Sequence, residues 1–293
     1  MTTGTTWVAS KRRPFFLHSL AAAAALLLAP AVVQAQVTLG PTVQSFGALA
    51  GASVTNTGPS VVAGNVGVSP GLAITGFPPG LATGTIQSGG ATAALAQTEL
   101  TAAYNAAAGA ACNTDLTGQN LGGLTLTPGV YCFAAAAQLT GNLTLDFQGN
   151  PNASFLFQIG SSLTTASNSS VLAINSGGPG CLQNVNFQVG SSATLGTTTN
   201  FAGNILALTS ITLNTGANLR GRALARNGTV TLDSNLAVGG CPAAASVPGG
   251  PILPLGAGGA STVPTLQEWA LILLGLMLAG FGGWKLRRQA IDR

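Results

Sequence analysis

Residues 36–262 contain no histidine and no tryptophan; His18 and Trp7 lie upstream, and Trp269 and Trp284 downstream. Charge is almost missing too. Arg220, Arg222 and Arg226 stand against Glu99, Asp115, Asp146 and Asp233, a net charge of −1, so the +4 of the whole chain belongs to its two ends. Each absence excludes a class of function. Without histidine there is no Ser-His-Asp relay, and four scattered carboxylates offer no general acid–base pair. Asp146 and Asp233 close two similar strand ends, LTLD and VTLD, and read as turn residues. The region lacks the basic surface that nucleic acid needs and the aromatics of a polysaccharide-binding platform. GVSPG at 67–71 and GFPPG at 76–80 have no following lysine and read as turns rather than phosphate loops. We therefore read the region as non-catalytic, without cofactor, metal or nucleic-acid partner.

The ends explain the remaining charge. Lys11, Arg12 and Arg13, an apolar run from Phe15 to Ala31 and the small-residue site Val33-Gln34-Ala35 form a signal peptide over 1–35. A second apolar run, residues 269–284, is followed by Lys285, Arg287 and Arg288. It is a short transmembrane candidate whose basic flank places the C-terminus in the cytoplasm. Residues 36–241 form one domain of uniform composition, 242–262 an Ala/Gly/Pro-rich linker, and 263–293 a separate C-terminal element. Cys112, Cys132, Cys181 and Cys241 all fall in the exported domain, where an even count suggests two disulfides. Three pairings exist; we favour Cys112–Cys132 with Cys181–Cys241. Metal ligation is the poorer reading, because no two of these cysteines are close in sequence and no histidine supports them.

What the domain does have is period-2 alternation of apolar and small polar residues. Leu124-Thr125-Leu126-Thr127, Leu143-Thr144-Leu145-Asp146, Ile211-Thr212-Leu213-Asn214 and Val230-Thr231-Leu232-Asp233 read as strands with Thr, Asn and Asp outward. Members of the first pair begin 19 residues apart, and so do members of the last pair. GSSLTT at 160 echoes GSSATL at 190, and AGNVGV at 63 echoes AGNILA at 202. Recurrent strand–turn units of this size indicate a mainly β fold, an irregular β-solenoid, with a β-sandwich as the alternative. Residues 91–108 lack Gly and Pro and read as one α-helix ending at Gly109. Its Ala91, Ala94, Leu95, Thr98, Ala102 and Asn105 share a stripe, which we expect to face the sheet. Threonines outward from stacked strands would form a rigid grid, about 4.8 Å between coils and about 6.7 Å along a strand. Such spacings resemble the oxygen repeats on crystal faces of ice.

The stretches SVTNTGPSVVAGNVGVSPG (53–71), ITGFPPG (74–80) and LGGLTLTPGVY (121–131), with residues 138–171 and 188–233, resemble the ice-binding proteins of cold-adapted bacteria, fungi and diatoms. The resemblance covers residues 38–236. It implies a discontinuous β-solenoid with three faces and a long helix along one of them. It also implies adsorption to the ice crystal surface through a flat Thr/Ser/Asn/Ala-rich face, giving thermal hysteresis and recrystallisation inhibition. Some members of that family carry a T-A/G-x-T/N element on this face. Here the element appears as Thr117-Gly118-Gln119-Asn120, Thr165-Ala166-Ser167-Asn168 and Thr215-Gly216-Ala217-Asn218. Thr197-Thr198-Thr199-Asn200 fits loosely, with Thr198 where Ala or Gly is expected. The candidate contacts are thus Thr117, Asn120, Thr165, Asn168, Thr198, Asn200, Thr212, Thr215 and Asn218, the alternative for each being a turn at a solenoid corner. Asn186 stands where the family often has an aromatic residue before Phe187, which implies different local packing. The rival function is a surface adhesin or matrix protein on the same scaffold.

VPTLQEWALILLGLMLAGFGGWKLRR (263–288) resembles the IPTL-type C-terminal sorting signal of Gram-negative bacteria. Pro264, Thr265, Leu266 and Trp269 match, while Val263 and Ala270 depart from the usual Ile and the frequent Gly. This implies an exosortase-like processing enzyme as partner, membrane contact through 269–284 before processing, and an exported or cell-surface location. A plain C-terminal anchor is the alternative.

Overall fold

The computed structural model describes Met1, residues 37–176 and residues 182–238. The expected signal peptide, linker and C-terminal element, and both Cys181 and Cys241, lie outside the described residues. Among the described residues no helix is long and apolar enough to cross a membrane.

The domain is mainly β, with three sheets and one long helix. The chain visits the sheets in rotation. It runs from Asn204–Ala207 in a nine-stranded sheet to Ile211–Leu213 in a seven-stranded sheet, then to Asn218–Arg220 in an eight-stranded sheet. It returns to the nine-stranded sheet at Ala223–Ala225, beside Asn204–Ala207. Every strand pairing is parallel, which a hairpin-built sandwich would not show. The sequence repeats are therefore successive coils. Thr125 and Leu126 lie beside Thr144 and Leu145, Ile211 lies beside Val230, and Leu163 of GSSLTT lies beside Ala193 of GSSATL.

Alternation fills the inside. Leu143, Leu145, Leu163, Leu195, Ile211, Leu213, Val230 and Leu232 are fully buried. Tyr131, Phe157 and Phe187 occupy consecutive rungs. Their rings stack at centroid distances of 5.4 and 4.4 Å, each contact adding about 0.5–1.5 kcal/mol beyond area burial. Asn186 points away from this stack, and its Oδ1 accepts a bond of 3.1 Å from Asn204 Nδ2 on the outer side of the nine-stranded sheet.

Chain order and coil order differ. Phe46–Ala50 pairs with Ala223–Ala225 on one side and Asn65–Val68 on the other, so the first coils stack beyond the last ones. Ile86–Ser88 and Thr114–Asp115 then form opposite edges of the nine-stranded sheet. Eight strand spacings separate them, about 38 Å. The helix Ala91–Ala108 spans most of this gap, being about 27 Å long, and the adjoining segments cover the rest.

The helix has the expected bounds, but it buries the face opposite to the expected stripe. Ala93, Ala96, Leu100, Ala103, Tyr104 and Ala107 are buried, whereas Ala91, Ala94, Leu95, Thr98, Ala102 and Asn105 are exposed. Alanine surrounds this helix, so small residues do not mark a face. Leu100 and Tyr104, the bulky pair on one side, decide which face is buried. Gly109 caps the C-terminus with its N–H on Asn105 O, in a right-handed rather than left-handed conformation.

One disulfide, Cys112–Cys132, is present as expected, with a Cα separation of 5.9 Å. It ties the segment after the helix to the neighbouring coil at the end of the stack.

Candidate functional site

Three outer faces are available, and their side chains separate them. The nine-stranded sheet is occupied by the helix. Gln158 Nε2 donates to Ala107 O and Ala110 O at 2.7 Å, closing carbonyls that the helix end leaves open. Gln188 Nε2 donates to Tyr104 Oη at 2.8 Å, and the Arg226 guanidinium lies 4.7 Å over the Tyr104 ring. Arg222 is buried and donates through Nε and Nη2 to Gln44 O, pinning the segment before the first strand, and through Nη1 to Asn204 Oδ1. Burial lowers its pKa. Asp233 is held not by an arginine but by the Thr215 and Ser234 hydroxyls.

The eight-stranded sheet is free but irregular. Its outward positions mix Thr144 and Asp146 with exposed Leu172, Ile174 and Arg220. Asn175, a side-chain donor, and the Gln148 N–H hold Asp146 below its usual carboxylate range.

The seven-stranded sheet is free and regular. The register places Gln138, Thr164, Thr194, Thr212, Thr231, Thr55 and Thr75 on successive rungs, each at an outward position of its strand. An isolated bridge adds Asn120 beside Gln138. The file thus holds eight hydroxyl or amide side chains over about 34 Å. Thr55 Oγ1 donates to Thr231 Oγ1 at 3.4 Å. One step along the same face, Thr229 pairs with Ser53, and Ser210 Oγ accepts the Thr229 N–H at 3.1 Å. Ser192 Oγ in turn accepts the Ser210 N–H at 3.3 Å. These hydroxyls are held by the neighbouring coil, so their positions are fixed before any ligand arrives.

The expected contacts divide between this face and other places. Thr212 lies in the middle of the threonine file, and Asn120 lies at its end. Thr165 does not belong to the surface. It is 3% exposed, its Oγ1 is 2.9 Å from Thr199 Oγ1, and it accepts the Gly196 N–H at 2.8 Å. It replaces the leucine found at the same inward rung in the next coil, Leu195, and for that reason cannot touch a flat partner. The four-residue motif also shifts frame. Asn200 pairs with Asn218 and with Ser170, so Asn168 aligns with Thr198 rather than with Asn218. Thr117-Gly118-Gln119-Asn120 sits at a different corner again.

These corner residues stitch turns. Asp115 Oδ1 accepts from the N–H and the hydroxyl of Thr117, which holds Asp115 below its usual range, and Thr117 Oγ1 accepts the Ala134 N–H. Asn120 Oδ1 accepts the N–H groups of Gly122 and Thr140. Thr198, with φ of +56°, donates to Asn168 Oδ1 at 2.6 Å, and Asn168 has φ of +60°. Gly216 and Ser234, at +69° and +53°, follow on successive rungs, so one column of left-handed residues makes this corner. Asn218 Nδ2 donates to Asn200 Oδ1 at 3.2 Å beside it, and Thr215 Oγ1 donates to Asp233 Oδ2 at 2.5 Å.

Sequence reasoning missed Gln138, Thr55, Thr75, Thr164, Thr194 and Thr231 as a set. For Thr194 and Thr231, as for Thr212, the usable signal was the middle residue of an apolar–Thr–apolar triplet rather than the four-residue motif; Gln138, Thr164, Thr55 and Thr75 have no such triplet and join the file through register alone. Among the described residues no group of three His, Cys, Asp or Glu side chains comes together.

A stack of parallel coils, backed by a helix on one side and offering a regular uncharged file of threonine and amide side chains on another, defines a protein built to lie against an extended repeating surface. A family model described as ice-binding-like matches residues 48–238, and an IPTL-CTERM motif model matches residues 262–288. An ice-binding protein of Nostoc sp. (strain HG1) is 55% identical over 208 residues, which is 71% of this chain and 76% of the relative. One from Colwellia sp. is 33% identical, over 65% of this chain and 79% of the relative. The crystal structure of an ice-binding protein from an Antarctic biological consortium superposes with a TM-score of 0.67 at 45% identity, covering 70% of this chain and 92% of that one. That of the Antarctic ascomycete Antarctomyces psychrotrophicus gives 0.64 at 38%, covering 69% and 97%. The chain belongs to the ice-binding-like family.

Proposed function

We propose that the protein binds ice through the outer face of the seven-stranded sheet, inhibiting recrystallisation and producing thermal hysteresis, with no catalytic step. The observation that carries the reading is the unbroken file from Asn120 to Thr75, of which six rungs are threonine. Threonine is stiff at χ1, so each methyl and hydroxyl is held with little entropy left to lose on adsorption. A neutral face orders its first water layer without the tightly held shells that charges impose. The helix covers the nine-stranded sheet, and exposed Leu172, Ile174 and Arg220 beside Asp146 make the eight-stranded face the less regular of the two that are free, which supports this choice. Of the expected contacts, Thr212 and Asn120 remain proposed contacts, while Thr117, Asn168, Thr198, Asn200 and Asn218 are proposed as corner residues that keep the face flat, and Thr215 as the corner donor to Asp233.

The test is thermal hysteresis and recrystallisation inhibition with the purified exported domain, residues 36–241, beside a Thr212→Tyr variant. Activity lost in the variant supports this face; activity retained would move the site elsewhere. A second reading, a surface adhesin holding cells to ice on the same scaffold, draws support from the IPTL-CTERM match at 262–288. We read the chain as exported by the 1–35 signal and displayed or released after processing near Pro264 by an exosortase-like enzyme, with 269–284 in the membrane beforehand. Whole-cell attachment to ice without hysteresis from the free domain would favour the adhesin.

A further inference from the structure

The strands of the seven-stranded sheet carry a single ionisable side chain, Asp233. It is outward on Thr229–Asp233, where Thr229, Thr231 and Asp233 alternate with buried Val230 and Leu232. Asp233 pairs with Thr57 on one side. Continuing the register from Thr212 opposite Thr231 puts Asn214 on the other. Asp233 therefore belongs to a third outward file, two residues along the strand from the threonines, or about 6.7 Å. Its carboxylate is half-buried and fixed: Thr215 Oγ1 donates to Oδ2 at 2.5 Å, and Ser234 Oγ donates to Oδ1 at 3.3 Å.

We propose that Asp233, held in place by Thr215, is the residue that limits the adsorbing area: the carboxylate ends the ice-matching surface at the threonine file and keeps the third file from joining it. The inference rests on the reading of this sheet as the ice-binding face. A carboxylate keeps strongly oriented water, and stripping or reordering that water costs far more than for an amide or hydroxyl. Ice meeting the sheet must either distort around the charge or stop short of it. Thr57 and Asn214 flank Asp233 with groups that suit the neutral face, so the charge alone breaks the third file there. Thr215 is a positioning residue: by donating to Oδ2 it fixes the carboxylate against the corner and lessens its reach toward Thr231.

The experiment measures thermal hysteresis at matched concentration in the purified residues 36–241 domain for the parent, Asp233→Asn, Thr215→Ala, the two combined, and Thr212→Tyr. Asn is isosteric and its Oδ1 can still accept from Thr215, so the fold is retained; circular dichroism and a melting curve verify this. Expected are an increase of about twofold or more for Asp233→Asn, because desolvating a charge is the cost removed, and a decrease for Thr215→Ala. The decrease should vanish in the Asp233→Asn background, which a merely structural role for Thr215 would not produce. Hysteresis in Asp233→Asn equal to or below the parent, while Thr212→Tyr abolishes activity, overturns the proposal and leaves the face intact. If Thr212→Tyr is fully active, the reading of the face fails instead.

Discussion

Thr165 Oγ1 and Thr199 Oγ1 meet 2.9 Å apart inside the coil stack, both residues buried. The pair forms a small polar knot under the corner, in which Thr165 accepts the Gly196 N–H and Thr199 donates to Ala166 O. A Thr165→Val substitution keeps the volume but leaves the Gly196 N–H without its acceptor, at a cost of about 1–3 kcal/mol. The expected outcome is a melting temperature lower by several degrees, with unchanged hysteresis per folded molecule below it. Calorimetry beside an ice assay checks this, and loss of hysteresis in a fully folded variant would return Thr165 to the surface.

Its neighbour Thr164 points outward, and so do Thr194, Thr212 and Thr231. A tyrosine at 212 or 231 puts a ring above a flat file while respecting strand propensity, so stability should move by no more than about 0.5 kcal/mol. Hysteresis should fall to about a tenth or less if the central contacts dominate as hot spots do. The control is Thr144→Tyr on the eight-stranded sheet, expected to be silent. Equal loss from all three would mean that the ring acts through something other than this face.

The alternation of Ile211-Thr212-Leu213 against Val230-Thr231-Leu232 was enough to find the coils, because burial on one side imposes period 2 wherever a strand is half covered. The helix was equally plain from its freedom from Gly and Pro. Its orientation was not, since alanine is buried or exposed at nearly equal cost and the choice rests on Leu100 and Tyr104. Thr165 was misread for a related reason: threonine tolerates an inward rung when it finds partners, and Thr199 comes from another coil 34 residues on. Register is a long-range property, and it alone separates the file through Thr212 from the corner at Asn218.

The helix face gives a direct contrast. Leu100 is fully buried and Leu95 is 51% exposed. Leu100→Ala should cost about 2–5 kcal/mol through lost burial and a cavity, whereas Leu95→Ala should fall within about 0.5 kcal/mol of the parent. Denaturant melts distinguish the two, and equal costs would contradict the buried face.

Cys112–Cys132 closes a loop with a sequence separation of 20. Replacing both cysteines by serine frees that loop in the unfolded chain and should lower stability by about 3 kcal/mol. The bond lies at the end of the stack, away from Thr212, so hysteresis near 0 °C should persist while the melting point falls. Loss of ice activity in a folded double-serine variant would show that the end coil shapes the face.

With no histidine in residues 36–262, the domain lacks the side chain that ordinarily changes charge near neutrality. Asp115, bonded first by the Thr117 hydroxyl, and Asp146, bonded first by Asn175, have lowered pKa values in the fold. A carboxylate lowered in this way adds stability that is present above its unfolded pKa, about 3.9, and lost as pH falls through the folded value. On the alkaline side, burial raises the pKa of Tyr131, whose hydroxyl donates to Thr127 O. Its neutral form is favoured by the fold, a contribution fully present below the unfolded value near 10 and lost as pH rises from there through the higher folded value. Melting temperature and recrystallisation inhibition should therefore be level between about pH 5 and 8, with stability declining below about pH 4 and above about pH 10. A titration of either property within the neutral window would require a switch that these residues do not contain.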